Sequence, residues 1–345
     1  MGRLSSTVTT LYFLWAVVMA FISAFILQIL CWVLFAWMMP KYKRMRLMGR
    51  IFRTACLFFC IHLNPFWSVT IRRRHQWKGK LPRRAIYMSN HLSFADPFIL
   101  CKVFMPRTAV NFIAKAAVFN YPLAGWSIRM AGDLPVHFTK SADGRGGVKH
   151  GTVALMMETV SRYLENGIGI CVFPEGTLSP TGELKPFKHG FFDAAIKNDV
   201  PIMPLAMWGN LHAWPARKWF ARPANIEIGI GQAIYPMEGE TATELNARVR
   251  EAILDLRDNL PLFKKTASQL SEAPTKTAIV APGADGNDLE SGEILATHAH
   301  SPPSTARKDK QANAMDQGER VKSSLKTAPS SGQQGEGDSD DIPSL

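Results

Sequence analysis

Residues 85–97 read AIYMSNHLSFADP, and this stretch decides the fold. It begins with four apolar residues, which have the length and composition of a buried β-strand. A polar turn follows, and Pro97 then suits the first turn of an α-helix, where its missing N–H is not needed. The stretch predicts a strand that leads directly into a helix, with His91 and Asp96 in the turn between them.

Similar apolar runs recur along residues 81–265 and alternate with helical stretches such as 148–165. Thr241 and Glu244 have the spacing of a capping box, which predicts the start of a last helix. Strands that alternate with helices are typical of α/β proteins with a mainly parallel sheet. We therefore expect one α/β domain over 81–265, with a layered sheet flanked by helices. Its further strands are expected at residues 110–114, 134–138, 169–173, 202–207 and 226–230.

An apolar run at residues 11–39 contains no charged side chain. It exceeds the roughly 20 residues that a helix needs to cross a bilayer, and it is longer than a signal-peptide core of about 7–15 residues. We therefore predict a transmembrane helix at 11–39, preceded by a short segment at 1–10. Residues 40–80 are expected to form a basic juxtamembrane segment with a short interfacial or re-entrant helix at 54–63.

The charge distribution points to a membrane surface as a partner. The chain has 40 Lys and Arg against 28 Asp and Glu, a net charge of +12, and basic residues cluster directly after the apolar run. By the positive-inside rule, the domain should lie on the cytosolic side of an integral membrane protein. An anchor beside a basic segment favours anionic lipid over nucleic acid as the partner.

Residues 266–345 are rich in Ser, Gly, Pro and charged residues and predict a disordered tail. Such a long tail is typical of eukaryotic proteins, so we expect the endoplasmic reticulum as the membrane. The five cysteines lie in apolar surroundings without C-x-x-C spacing, so neither a metal site nor a disulfide is expected. No bound cofactor is expected either.

The turn after the first strand has the residues of an acid–base pair. A turn can fold the Asp96 carboxylate onto Nδ1 of His91, which leaves Nε2 free to accept a proton from an alcohol. A helix cap beside an ordinary surface histidine is the competing interpretation.

A second turn, residues 172–179, reads VFPEGTLS and ends another apolar strand. Gly176 permits close approach of the backbone to a ligand, and Lys188 adds positive charge nearby. Such a loop suits a phosphate, although an ordinary Pro-Gly turn has the same composition.

These blocks together resemble the glycerolipid acyltransferase family, which includes the 1-acylglycerol-3-phosphate acyltransferases. The resemblance covers about residues 84–208. The blocks occur in the family's order: NHLSFAD at 90–96, GDLPV at 132–136, FPEGT at 173–177 and VPIMPL at 200–205.

The resemblance implies an enzyme that moves an acyl group from acyl-CoA, as co-substrate, to the sn-2 hydroxyl of lysophosphatidic acid. It implies that His91 is the general base and Asp96 its orienting partner. The residues that it assigns to substrate binding are Asn90, Glu175, Gly176, Thr177, Lys188, Pro201 and Pro204.

Two departures from the family's pattern concern the phosphate. The family usually has Arg where this chain has Phe138 and Leu178, and Lys188, Lys140 or Arg145 could supply the charge instead. The losses slightly favour another lysophospholipid or glycerol 3-phosphate as acceptor. A lipid hydrolase using Ser93 is disfavoured because there is no G-x-S-x-G elbow. A non-catalytic membrane lipid-binding protein would require His91 and Asp96 to be idle.

Overall fold

A seven-stranded sheet forms the centre of the part of the chain that this computed structural model describes, namely residues 2–73, 80–106, 108–139, 147–148, 151–215 and 218–271. The strands are β1 (Trp67–Arg73), β2 (Ile86–Ser89), β3 (Val110–Lys115), β4 (Leu134–Val136), β5 (Phe138–Thr139), β6 (Gly147–Val148), β7 (Gly169–Val172), β8 (Ile202–Trp208) and β9 (Ala224–Ile230). The order in the sheet is β1-β9-β8-β2-β7-β3-β4, and only the β8–β9 pairing is antiparallel. β5 and β6 form a separate antiparallel pair.

Helices cover both faces of this sheet. They are α1 (Gly2–Leu34), α2 (Lys41–Cys56), α3 (Asp96–Phe104), α4 (Ala124–Ala131), α5 (Thr152–Glu165), α6 (Gly190–Lys197), α7 (Asn210–Ala213), α8 (Ala242–Asp258) and α9 (Pro261–Ser271). Side chains alternate along a strand, so Tyr87 packs with α1 and α3, whereas Ile86 and Met88 pack with α5, α6 and α8. The predicted α/β class, with a mainly parallel sheet and flanking helices, is confirmed.

Strand β1 lies within residues 40–80, where the sequence predicted only a basic and helical segment. It pairs in parallel with β9, and the Arg72 guanidinium binds the Glu227 carboxylate at 3.0 Å. The apolar stretch expected to lie at a membrane interface, 54–63, instead continues α2 as a π-helical turn at Leu57–His62. Cys56, Cys60 and Ile61 of this stretch are buried in the core.

Helix α2 also carries a buried ion pair. The Arg53 guanidinium binds the carboxylate of Asp133, which lies just before β4, and both side chains are inaccessible to solvent. The Asp133 carboxylate also accepts a hydrogen bond from the N–H of Phe112 in β3 at 2.8 Å. Arg53 therefore joins α2 to the sheet and is not available to lipid headgroups.

Helix α1 packs one side against the domain. Ala16, Ala20 and Ala24 are buried at four-residue spacing, and the Gln28 amide donates to the carbonyls of Met48 and Ser127 at 3.0 and 3.2 Å. By length and composition alone, residues 4–34 suffice to cross a membrane. The large apolar side chains that α1 exposes on its other side include Leu11, Leu14, Trp15, Val18, Ile26 and Leu30.

The ends of the elements differ from those predicted. Helix α1 starts at Gly2 and ends at Leu34, and a short 3-10 turn follows at Ala36–Met38. Helix α9 extends to Ser271, inside the predicted tail, whereas residues 272–345, Lys140 and Arg145 lie outside the described residues.

Candidate active site

The two polar turns singled out in the sequence follow adjacent parallel strands. Met88 of β2 pairs with Val172 of β7. Because the carboxyl ends of parallel strands meet at one edge of a sheet, the turn after β2 lies beside the turn after β7. The structure in this way brings His91 next to Glu175.

The first turn places the predicted pair in hydrogen-bonding contact. Nδ1 of His91 lies 2.8 Å from Oδ2 of Asp96, and the same oxygen accepts the N–H groups of Leu92 and Ser93 at 2.8 and 2.9 Å. The Asp96 side chain is fully buried, whereas that of His91 is 19% exposed. With Nδ1–H donating to the carboxylate, Nε2 carries the lone pair. Nε2 has no hydrogen-bond partner within the described ranges, so it is free to accept a proton.

Glu175 links the two turns through the backbone. Its Oε1 accepts the N–H of His91 at 2.8 Å, and its Oε2 accepts the N–H of Lys185 at 3.0 Å. Burial raises the pKa of this carboxyl above its ordinary value, while the two N–H groups act in the opposite direction. The carbonyl of His91 accepts the N–H of Ser179 at 2.7 Å. Both backbone polar groups of His91 are therefore held by the second turn.

Three of the residues predicted to bind substrate are buried in the domain. The Asn90 amide donates to the Met207 carbonyl at 2.9 Å and accepts the Met207 N–H at 2.8 Å, so it continues the pairing of β2 with β8. Pro201 is buried directly before β8, and Pro204 is buried within it. All three lie in or beside the sheet, in contact with backbone.

The other three are exposed: Gly176 and Thr177 on the second turn, and Lys188 in the segment that follows it. Gly176 has φ +69°, a conformation that favours glycine, and the Lys188 side chain lies over it. The Lys185 ammonium donates to the Leu178 carbonyl at 2.6 Å and to the Thr177 hydroxyl at 3.2 Å. In the described part of the chain, the Lys188 ammonium has no partner, so it is available to an anion.

Sequence reasoning missed two residues that contact the pair. The Phe173 ring stacks on the His91 imidazole, and the Asn210 amide donates to Oδ1 of Asp96 at 2.7 Å. Phe173 lies in a recognised block, but Asn210 follows the last block and carries no local signal. Among the described residues, no group of three His, Cys, Asp or Glu side chains is placed to hold a metal ion.

Comparison with known proteins agrees with this geometry. Residues 72–208 match the protein family described as Acyltransferase, a segment that contains both turns. This segment of the chain is therefore similar to the acyltransferase family, and the predicted family resemblance is confirmed.

Curated relatives of this chain are named as 1-acyl-sn-glycerol-3-phosphate acyltransferases. A chloroplastic 1-acyl-sn-glycerol-3-phosphate acyltransferase from Brassica napus is 31% identical over 52% of this chain and 49% of its own length. One from Arabidopsis thaliana is 28% identical over 59% of this chain and 53% of its own length. The chain thus spans about half the length of these curated relatives. A crystal structure of the 1-acyl-sn-glycerophosphate acyltransferase from Thermotoga maritima has the same fold, with TM-score 0.53, 21% identity, and coverage of 80% of this chain and 100% of that chain.

Proposed function

We propose that this protein transfers a fatty acyl group from acyl-CoA to the sn-2 hydroxyl of 1-acyl-glycerol-3-phosphate, giving phosphatidic acid. The observation that carries the proposal is the 2.8 Å contact between His91 Nδ1 and Asp96 Oδ2, with Nε2 left free. A base in this arrangement needs no enzyme nucleophile, because the substrate hydroxyl itself attacks the thioester. The names of the similar proteins supply the substrate class.

The proposed reaction uses one proton relay. Nε2 of His91 takes the proton of the sn-2 hydroxyl while its oxygen attacks the thioester carbonyl carbon, forming the new C–O bond. Asp96 stabilises the imidazolium that results. When the C–S bond breaks, the imidazolium returns the proton to the leaving CoA thiolate, which restores the neutral base.

The second turn is proposed to hold the phosphate of the acceptor. Leu178 stands where the family usually has Arg, but the aliphatic part of the Lys188 side chain packs beside Gly176 of this turn, which brings the free ammonium close to it. An ammonium can bind a phosphate as a point charge, without the bidentate geometry of Arg. The buried contacts of Glu175, Asn90, Pro201 and Pro204 support positioning roles for these four residues, in place of the substrate contacts expected from the resemblance.

Membrane attachment through α1 is proposed to lie in the plane of one leaflet. Thr10 bonds Ala221 and Gln28 bonds Met48, so the domain runs alongside α1 for about 27 Å at 1.5 Å per residue. If α1 crossed the bilayer, the parts of the domain that contact it would also enter the hydrocarbon. Polar groups of the domain that are left unpaired there would be costly. The exposed apolar side of α1 suits an interfacial helix instead. Location in the endoplasmic reticulum, with the domain on the cytosolic face, stays a prediction from sequence.

An acyl-transfer assay on membranes tests the proposed activity. Radiolabelled acyl-CoA and, separately, the acyl thioester of acyl carrier protein are offered with lysophosphatidic acid, other lysophospholipids and glycerol 3-phosphate. His91→Ala should lower turnover by roughly 10² to 10⁴, and Asp96→Asn should also lower it strongly. If His91→Ala membranes with the same protein level form product from lysophosphatidic acid at the wild-type rate, His91 is not the general base.

The assay also decides between the alternatives. Phe138 and Leu178 in place of two family arginines favour a larger lysophospholipid or glycerol 3-phosphate as the second candidate acceptor. Faster turnover of either one would establish it. A non-catalytic lipid-binding protein would transfer acyl groups to none of them.

A further inference from the structure

We propose that Asn210 is a positioning residue of the reactive centre, which acts by fixing the carboxylate of Asp96. The proposal rests on the proposed function, because it assumes that His91 is the base. The Asn210 amide nitrogen lies 2.7 Å from Oδ1 of Asp96, and both side chains are fully buried. A hydrogen bond between two buried groups, one of them charged, is among the stronger contacts in a protein.

The two oxygens of Asp96 have different environments. Oδ2 accepts from the His91 ring and from two N–H groups of the same turn. Oδ1 accepts from Asn210 alone among the described residues. Without that donor, Oδ1 would be a buried acceptor with no partner, and rotation of the carboxylate would move Oδ2 away from Nδ1. Asn210 therefore fixes the rotation that presents Oδ2 to His91.

The Asn210 side chain makes no other polar contact in the described ranges. Its own Oδ1 is buried and lacks a hydrogen-bond partner. An asparagine kept only for the stability of its own loop would be expected to use both ends of the amide, because an unpaired buried polar atom lowers stability. Among the described residues, the hydrogen bond to Asp96 is therefore the polar interaction that accounts for this buried amide.

The backbone around Asn210 is held on two sides. Gly209 has φ +88°, and a Cβ atom there would lie 2.0 Å from the Asn225 carbonyl oxygen, so α7 starts in close contact with β9. Pro215, after α7, forms an isolated β-bridge with Ser93 in the turn of the reactive centre. Asn210 is therefore fixed relative to the turn that contains Asp96.

The segment that follows α7 is packed against α1. The ring of Trp214 lies 5.3 Å from that of Phe13, and the N–H of Ala221 donates to the Thr10 hydroxyl at 2.8 Å. The membrane helix thus supports, through this segment, the residue that orients Asp96.

A double-mutant cycle tests the proposal on the full-length protein in membranes. Asn210→Ala and Asn210→Leu, the second close in volume, should lower kcat roughly 10- to 100-fold, the range for one lost hydrogen bond to a charged group, with KM for both substrates within about twofold. In an Asp96→Ala background the same substitutions should have almost no further effect on kcat, because the group through which they act is gone.

Asn198→Ala is the matched control, since Asn198 is a buried asparagine that donates to Ala194 and Ser161. It should keep wild-type kcat per folded molecule. Three outcomes would overturn the positioning role. The first is wild-type kcat in both Asn210 variants, and the second is an equal loss of kcat in the wild-type and Asp96→Ala backgrounds. The third is failure of both Asn210 variants to fold while Asn198→Ala folds. An active His91→Ala protein would instead refute the proposed function, which keeps the two failures distinct.

Discussion

The ring of Phe173 lies parallel to the imidazole of His91, with centroids 4.0 Å apart and planes inclined by 11°. The contact covers one face of the imidazole, so Nδ1 can still bond Asp96 and Nε2 stays accessible, while rotation of the ring is restricted. Aromatic pairs contribute roughly 0.5–1.5 kcal/mol beyond area burial.

Replacing this ring should therefore slow the reaction without affecting substrate binding. Phe173→Leu is expected to lower kcat roughly 3- to 10-fold with KM nearly unchanged, and Phe173→Tyr should stay close to wild type because it keeps the stacked ring. Steady-state kinetics on membranes checks both. Equal kcat for Leu and Phe at this position would show that the stacking does not orient His91.

Loss of Lys188 should weaken binding of a phosphorylated acceptor. Lys188→Ala is expected to raise the apparent KM for the acceptor roughly fivefold, as for a solvent-exposed charge pair worth about 1 kcal/mol, and to change kcat little. Lys197→Ala, an exposed lysine on α6, serves as the control and should change neither constant. An unchanged KM in Lys188→Ala would show that another cation binds the phosphate.

Breaking the Arg53–Asp133 pair should destabilise the fold. Burial raises the pKa of Asp133 more than the Arg53 charge lowers it, which indicates that the pair gains little over its desolvation. Arg53→Met leaves an uncompensated buried carboxylate and should cost about 3–5 kcal/mol in the free energy of unfolding. Adding Asp133→Asn, which keeps an acceptor for Phe112, should recover much of this loss.

Urea unfolding in detergent, followed by tryptophan fluorescence, measures both proteins. Arg50→Met is the control, because Arg50 is exposed on the same helix. A double variant less stable than Arg53→Met would show that the unpaired Asp133 carboxylate is not the cause of the loss.

Titration of Glu175 should contribute to the pH dependence of the free energy of unfolding. Burial raises the pKa of this carboxyl above its ordinary 4.5. The folded protein then binds the proton more tightly than the unfolded protein, so this group's contribution to the free energy of unfolding falls as pH rises from 4.5 through the folded-state pKa. Glu175→Gln removes that contribution. Wild-type stability minus variant stability should therefore decrease over this window and level off above it, and an increase would place the folded-state pKa below 4.5.

The attachment of α1 to one leaflet predicts that both chain ends lie on the same side of the membrane. With one epitope tag at each end, protease added to sealed microsomes should remove both tags. A helix that crosses the bilayer, as the charge asymmetry predicts, would protect the amino-terminal tag until detergent is added. Protection of that tag would restore the transmembrane prediction.

Most of the sheet could be predicted from sequence, because its buried strands are short apolar runs between turn residues. Strand β1 could not, since its partner strand β9 lies more than 150 positions away, where Arg72 pairs with Glu227 at a separation of 155. Arg72 also lies in a basic stretch whose composition is typical of a lipid-binding segment. Arg53 was grouped with the same basic segment for the same reason. Local composition does not show which distant carboxylate pairs with an arginine.

The contact between His91 and Asp96 was predictable because the two residues are close in sequence and lie at a strand–helix junction. Asn210 lies 114 positions from Asp96 and was not predictable, because only the tertiary fold brings them together. The buried role of Glu175 was also hidden, since a carboxylate beside glycine and threonine suggests a ligand as readily as a backbone N–H.

The turn that presents His91 is held through backbone atoms and the buried Glu175, while Thr177, Leu178 and Lys188 lie outside that framework. On the proposed function, chemistry and acceptor choice are therefore separable during evolution and in design. A lineage can exchange the residues proposed to meet the headgroup without altering the groups that hold His91. An engineer can likewise build libraries at these three positions to change the lipid product while the turn that presents His91 stays intact.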